Sequence, residues 1–81
     1  MTDHSLELSI IESILGERTR GCGAWFCLGH WIKGKYEIVI SIEKGRYVAN
    51  RSTKKNTVTI ANGDFEHLIS KISDPEFRKT L

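Results

Sequence analysis

The chain has 81 residues, of which 40% are hydrophobic and 27% are charged, and its formal net charge is +2. This length suits one hydrophobic core, so the sequence predicts a single compact domain over residues 1–81. No stretch approaches the roughly 18 apolar residues that a membrane-spanning helix needs, and no membrane association is expected. Residues 1–15 lack the basic start and apolar centre of a signal peptide, which predicts a cytoplasmic protein.

The charges are segregated along the chain. Residues 18–55 contain nine of the twelve lysines and arginines but only two acids, Glu37 and Glu43, for a local balance of +7. The flanks are acidic, with −4 over residues 1–17 and −1 over residues 56–81. Because a surface of one sign attracts and holds a partner of the other sign, this pattern predicts an anionic partner.

The first predicted element is an amphipathic helix over residues 4–16. Apolar residues recur at helical spacing, Glu and Ser fill the other side, and Gly16 ends the helix. Strands are predicted next, near residues 24–32, 36–43, 47–51 and 57–61, because the apolar pattern changes to a period of two. Gly34 and Gly45 mark short connections of the kind that join antiparallel neighbours.

Two helical segments are predicted after the strands. Asn62 to Asp64 starts a helix whose Phe65, Leu68, Ile69 and Ile72 follow helical spacing. Asp74 and Pro75 then start a short final turn or helix, anchored by Phe77 and Leu81. The order predicts an α+β fold, α-β-β-β-β-α, in which an antiparallel sheet of three to four strands lies between an N-terminal and a C-terminal helix.

The sequence contains no motif of common enzyme chemistry. It has no Gly-x-Ser-x-Gly elbow, and neither cysteine carries a local signature that pairs it with a histidine. Gly21-Cys22-Gly23 lacks the third glycine of a dinucleotide fold and the Lys-Ser/Thr of a P-loop. We therefore expect a non-enzymatic protein with no catalytic residues and no cofactor. A paired-carboxylate hydrolase is left open, because two acids can meet in space from anywhere in the sequence.

Cys22, Cys27 and His30 form the only cluster of metal-ligating residue types. The cysteines lie five positions apart rather than in a zinc knuckle, and Cys27 and His30 would point to opposite faces of a regular strand. We predict that the protein holds no metal there. Two cysteines are too few for a disulfide framework, so reduced thiols are expected in a cytoplasmic protein.

Two tryptophans leave two interpretations open. Trp25 and Trp31 share one face of the predicted first strand, while Phe26 and Leu28 share the other. If the helices cover the Phe26 face, the tryptophans are exposed beside cations, as in single-stranded nucleic-acid binding. If the N-terminal helix covers the tryptophan face, both rings belong to the core. Between the two, Trp31, beside Lys33, is the expected contact residue, and Trp25 is the expected core residue.

The predicted binding surface consists of that tryptophan and of cations in or beside the connections. Few acids neutralise these cations, although basic loops are also common on surfaces that bind nothing. The predicted contact residues are Trp31, Lys33, Lys35, Lys44, Arg46, Arg51, Lys54 and Lys55.

The sequence resembles two families in part, and neither resemblance identifies its own family. The helix–strands–helix order resembles double-stranded RNA-binding domains, but the second helix does not begin with the lysine cluster of that family. Residues 32–36, 54–60 and 65–68 resemble a family of sheet-plus-helix coactivators that bind single-stranded DNA. That likeness covers about half the chain, rests on generic positions and leaves the N-terminal helix unmatched.

The sequence therefore predicts a small non-enzymatic binding protein whose basic sheet and loop surface contacts nucleic acid, with single strands favoured. The alternative is a phage-, plasmid- or immunity-type inhibitor that binds an acidic protein surface, such as that of a nuclease or a nucleic-acid-handling effector complex. Charge complementarity accelerates association with either partner, so it does not separate them. A homodimer is also left open.

Overall fold

A computed structural model describes residues 5–20 and 27–79. Helix α1 (Ser5–Leu15) is followed by strands β1 (Cys27–Lys33), β2 (Tyr36–Glu43), β3 (Arg46–Ser52) and β4 (Thr57–Gly63), and by helices α2 (Phe65–Ile72) and α3 (Pro75–Lys79). The four strands form one antiparallel sheet in the order β1-β2-β3-β4. The predicted α+β fold is confirmed. No helix in the described ranges is long and apolar enough to cross a membrane.

The two tight turns of the sheet use backbone conformations that favour glycine. Gly34 has φ 62 in the β1–β2 turn, and Lys44 and Gly45 have φ 52 and 77 in the β2–β3 turn. Turns with positive φ match the right-handed twist of the strands that they join. In the resulting meander, the β1–β2 turn and the β3–β4 loop lie at one end of the sheet, and the β2–β3 turn lies at the other.

The helices pack on one face of the sheet. Residues paired across neighbouring strands share a face, so Trp31, Ile38 and Arg51 lie on the helix side. Side chains from all three helices and all four strands form one buried cluster: Ile11, Leu15, Leu28, Trp31, Ile38, Ile40, Ala49, Ala61, Leu68, Ile72 and Phe77. This packing leaves the other face of the sheet, here called the opposite face, without a helix among the described residues.

Both C-terminal helices begin as the sequence predicts. The Asp64 side chain accepts a hydrogen bond of 2.8 Å from the His67 backbone N–H, and the Asp74 side chain accepts one of 3.0 Å from the Glu76 N–H. Each bond satisfies a backbone donor that the first turn of a helix leaves unpaired. Phe77 is buried, as predicted for its anchoring role.

Trp31 is a core residue, so the prediction that it is an exposed contact is wrong. Its side chain is 0% exposed, and its indole Nε1–H donates a hydrogen bond of 2.8 Å to the Gly16 carbonyl. The pairing register shifts between Cys27 and Gly29. Regular alternation would place Leu28 and Trp31 on opposite faces, whereas this irregularity lets both enter the core. Trp25 lies outside the described residues.

Cys27 is disulfide-bonded, so the prediction of reduced thiols is also wrong. That prediction rested on the presence of only two cysteines and on the cytoplasmic location expected from the sequence. The only other cysteine of the chain is Cys22, which lies outside the described residues.

Candidate nucleic-acid interface

The meander divides the predicted cations between the two ends of the sheet. Lys35 lies beside the β1–β2 turn, Arg51 lies near the end of β3, and Lys54 and Lys55 lie in the β3–β4 loop. These four cations and Tyr36 are called the basic end. Lys35 and Lys54 are 19 positions apart in the chain. They lie at the same end of the sheet because the β1–β2 turn and the β3–β4 loop are both at that end.

Lys44 and Arg46 lie at the other end of the sheet, which corrects the prediction of a single surface. Strand β2 separates the two ends with eight residues, or about 23 Å at about 3.3 Å per residue. Exposed charges interact weakly beyond a Debye length of about 8 Å at physiological salt. The pair at the far end therefore acts independently of the basic end.

Lys33 lies close to the basic end but is directed towards the helices. It shares the helix side of the sheet with Tyr36, its partner across the β1–β2 hairpin. With Ile14, Leu15 and Arg78 it lines a separate cavity of about 270 Å³. Its contribution to the basic end is therefore long-range attraction rather than a place in the groove.

Tyr36 is the aromatic residue of the basic end. The Arg51 guanidinium carbon lies 4.8 Å from the centre of the Tyr36 ring, and the Lys35 ammonium lies 5.4 Å from it. Both distances are within the range of cation–π attraction, which holds the cations against the ring. The half-buried ring lines an open groove of about 530 Å³ together with Gly34, Lys35, Thr53, Lys54 and Lys55. Aromatic and guanidinium planes are surfaces on which nucleobases stack.

Glu37, the acid beside this groove, is already paired. One of its carboxylate oxygens accepts a hydrogen bond of 3.0 Å from Arg20 Nη2 and lies 3.0 Å from His30 Nδ1. The hydrogen bond from His30 is the largest cause of the lowered pKa of Glu37; burial opposes it as the next largest effect, and the Arg20 contact adds to the lowering. Glu37 is therefore ionised at neutral pH, and its charge is balanced locally.

The lysines of the basic end are not neutralised within the described part of the chain. Lys35, Lys54 and Lys55 form no ion pair with any described residue. Three ammonium groups thus face solvent around one aromatic ring. Such an arrangement attracts anions.

Sequence reasoning missed Tyr36 and Arg20. Tyr36 alternates with Ile38 and Ile40, which is the pattern of a core-facing residue, and only its place at the end of β2 separates it from them. The sequence feature that could have identified Tyr36 is its position directly after Lys35 and the turn residue Gly34, at the end of the sheet rather than in its middle. No sequence pattern indicated that Arg20 contacts Glu37, because the two residues are 17 positions apart in the chain.

No metal centre is found in residues 5–20 and 27–79, where no group of three or more His, Cys, Asp or Glu side chains could hold an ion. The chain matches no protein-family model, no curated protein and no solved structure. The geometry of the basic end is therefore what supports a function.

Proposed function

We propose that this protein is a small non-enzymatic binding protein that contacts single-stranded nucleic acid through the basic end. One observation carries the proposal: Tyr36 lies in a groove among cations whose neighbouring acid, Glu37, is already paired. Single strands are favoured because their bases are free to stack on a side chain, whereas the bases of a duplex are stacked on each other.

The residues of the basic end would contact different parts of the nucleic acid. Lys35, Lys54 and Lys55 would neutralise phosphates, and Tyr36 with Arg51 would stack a base. Three phosphate contacts with a single strand predict a slope of about −2 for the logarithm of affinity against the logarithm of salt concentration. A rise in salt from about 50 to about 200 mM should then weaken binding by roughly 20-fold.

The proposal is tested by titrating a labelled mixed-sequence oligonucleotide at these two salt concentrations. The informative variant is Lys54→Ala/Lys55→Ala, and its matched control is Lys44→Ala/Arg46→Ala, which removes the same charge from the other end. We expect the first variant to lose affinity at low salt and to reduce the slope by about 1.4. The control variant should keep nearly the same affinity at low salt and nearly the same slope. Equal losses in the two variants would show that only net charge matters.

The same titration separates the proposal from its alternative. If the unaltered protein binds no oligonucleotide at low salt, the basic end would instead serve an acidic protein surface, as an inhibitor of a nuclease or effector complex would. The sequence predicted a cytoplasmic location, whereas disulfides persist mainly in oxidising compartments, so the bond of Cys27 favours such a compartment instead. Protein isolated from cells with its thiols blocked tests this: oxidised cysteines are expected, and two free thiols would restore the cytoplasmic location.

A further inference from the structure

Arg20 is held in place at both its backbone and its side chain. Its carbonyl accepts a hydrogen bond of 2.9 Å from the His30 N–H, and its own N–H donates one of 3.3 Å to the His30 carbonyl. This bridge fixes Arg20 beside the edge of β1. At the other end of the side chain, Nη2 contacts Glu37 at 3.0 Å, although the side chain is 63% exposed. Arg20 is thus both ordered and accessible.

Glu37 is held in turn by a second partner. His30 lies on β1 and Glu37 lies on β2, and their side chains meet at 3.0 Å on the opposite face of the sheet. The carboxylate therefore has little freedom to swing away from Arg20. A guanidinium has five N–H donors, of which this contact uses one. The remaining donors can form the paired hydrogen bonds with which arginine binds phosphate.

Arg20 lines a second groove, which joins the first. This groove, of about 330 Å³, lies on the opposite face and is lined by Arg20, Ile32, Glu37 and Ser52. It shares Gly34, Lys35, Tyr36, Thr53 and Lys54 with the groove beside the Tyr36 ring. A chain that leaves the first groove can therefore pass round the end of the sheet and reach Arg20.

We propose that Arg20 is a phosphate ligand and that Glu37 is its positioning residue, so that a strand whose base stacks on Tyr36 places an adjacent phosphate against Arg20. This inference rests on the proposed function and extends its site to the opposite face. The phosphate is either an internal phosphodiester or the terminal phosphate of a strand, since both offer the same oxygens to a guanidinium.

The first test compares Arg20→Ala with Arg46→Ala. Both arginines are exposed, and each variant removes one positive charge, but Arg46 lies at the far end of the sheet, where its side chain donates a hydrogen bond of 3.4 Å to Asn62. We expect Arg20→Ala to weaken oligonucleotide binding about 10-fold or more, as the loss of a charged hydrogen bond does. Arg46→Ala should change affinity less than 3-fold. Arg20→Lys should restore the salt slope but not the full affinity, because it keeps the charge and loses the planar fork.

Two oligonucleotides distinguish the sources of the phosphate. If Arg20 binds a terminal phosphate, a 5′-phosphorylated strand should bind the unaltered protein more tightly than a 5′-hydroxyl strand, and Arg20→Ala should abolish that difference. If Arg20 binds an internal phosphate, the variant should weaken both strands equally. Either result supports Arg20 as a ligand.

The positioning role is tested with Glu37→Gln against Glu43→Gln. Removing an acid normally strengthens the binding of an anion, and Glu43, exposed at the other end of β2, should behave in this way. We expect Glu37→Gln to weaken binding instead, because Arg20 loses its anchor. If Glu37→Gln strengthens binding as Glu43→Gln does, the positioning role is refuted.

The titrations distinguish a failure of the inference about Arg20 from a failure of the proposed function. If the unaltered protein binds the oligonucleotide but Arg20→Ala binds it equally well, the inference about Arg20 is wrong and the proposed function stands. If the unaltered protein binds neither strand, both are wrong. Thermal melts of each variant verify that the protein used in these titrations is folded.

Discussion

Replacing Trp31 tests the packing that places the helices on one face of the sheet. Its side chain is 0% exposed, and full burial of a tryptophan removes roughly 200 Å² from water. At about 25 cal/mol per Å² this amounts to about 5 kcal/mol, and measured Trp→Ala changes in cores cost about 3–5 kcal/mol. Loss of the hydrogen bond to Gly16 adds about 1 kcal/mol, because water can reach the exposed Gly16.

These losses are comparable to the stability of the whole domain. At about 0.05–0.15 kcal/mol per residue, a chain of 81 residues has a free energy of unfolding of roughly 4–12 kcal/mol. Trp31→Ala should therefore leave the protein unfolded or barely folded at 25 °C. Trp31→Phe, which keeps most of the buried area and loses the hydrogen bond, should cost roughly 1–3 kcal/mol.

Ile32→Ala is the matched control for this prediction. Ile32 follows Trp31 in the chain but is 46% exposed on the opposite face, so its replacement should cost less than about 1 kcal/mol. Urea unfolding followed by far-UV circular dichroism measures all three variants on one scale. If Trp31→Ala unfolds at the same urea concentration as Ile32→Ala, Trp31 is not in the core and the face assignment is wrong.

Two further predictions concern acid stability and the cysteine. The lowered pKa of Glu37 means that Glu37 binds more protons in the unfolded chain, so its contribution to stability is present above the unfolded-state pKa and is lost as the pH falls through the folded-state pKa. The free energy of unfolding, measured with urea from about pH 5 to about pH 3, should therefore fall less steeply for Glu37→Gln than for the unaltered protein. Equal slopes for the two proteins would contradict this. Because Cys27 is disulfide-bonded, thiol titration of protein unfolded without reductant should find no free thiol, whereas two would refute the bond.

The order and extent of the elements followed from local physics. The alternation of Ile38 and Ile40 with polar residues identified β2, and Gly34 and Gly45 identified its two ends. Asp64 and Asp74 identified the helix starts by their capping chemistry. These signals act within a few residues, so a sequence without relatives is sufficient to find them.

The faces of the sheet could not be predicted in the same way. A shift of one residue reverses every side chain of a strand, and the irregularity between Cys27 and Gly29 has no sequence signature here. Trp31 was expected at the surface because it lies beside Lys33 and because a regular strand places it on the face opposite Leu28. The separation of Lys44 and Arg46 from the other cations was different, because it follows from the meander order alone and could have been derived from the predicted strands.

The most direct test of the central claim is to map the binding surface by ¹H–¹⁵N chemical-shift changes as a short single-stranded oligonucleotide is added at low salt. We expect the largest changes at residues 34–36 and 53–55, smaller changes at residue 20 and its neighbours, and almost none at residues 44–46 or along α1. Largest changes at residues 44–46 or on α1 would contradict the claim that the basic end binds nucleic acid, and so would a spectrum that does not change.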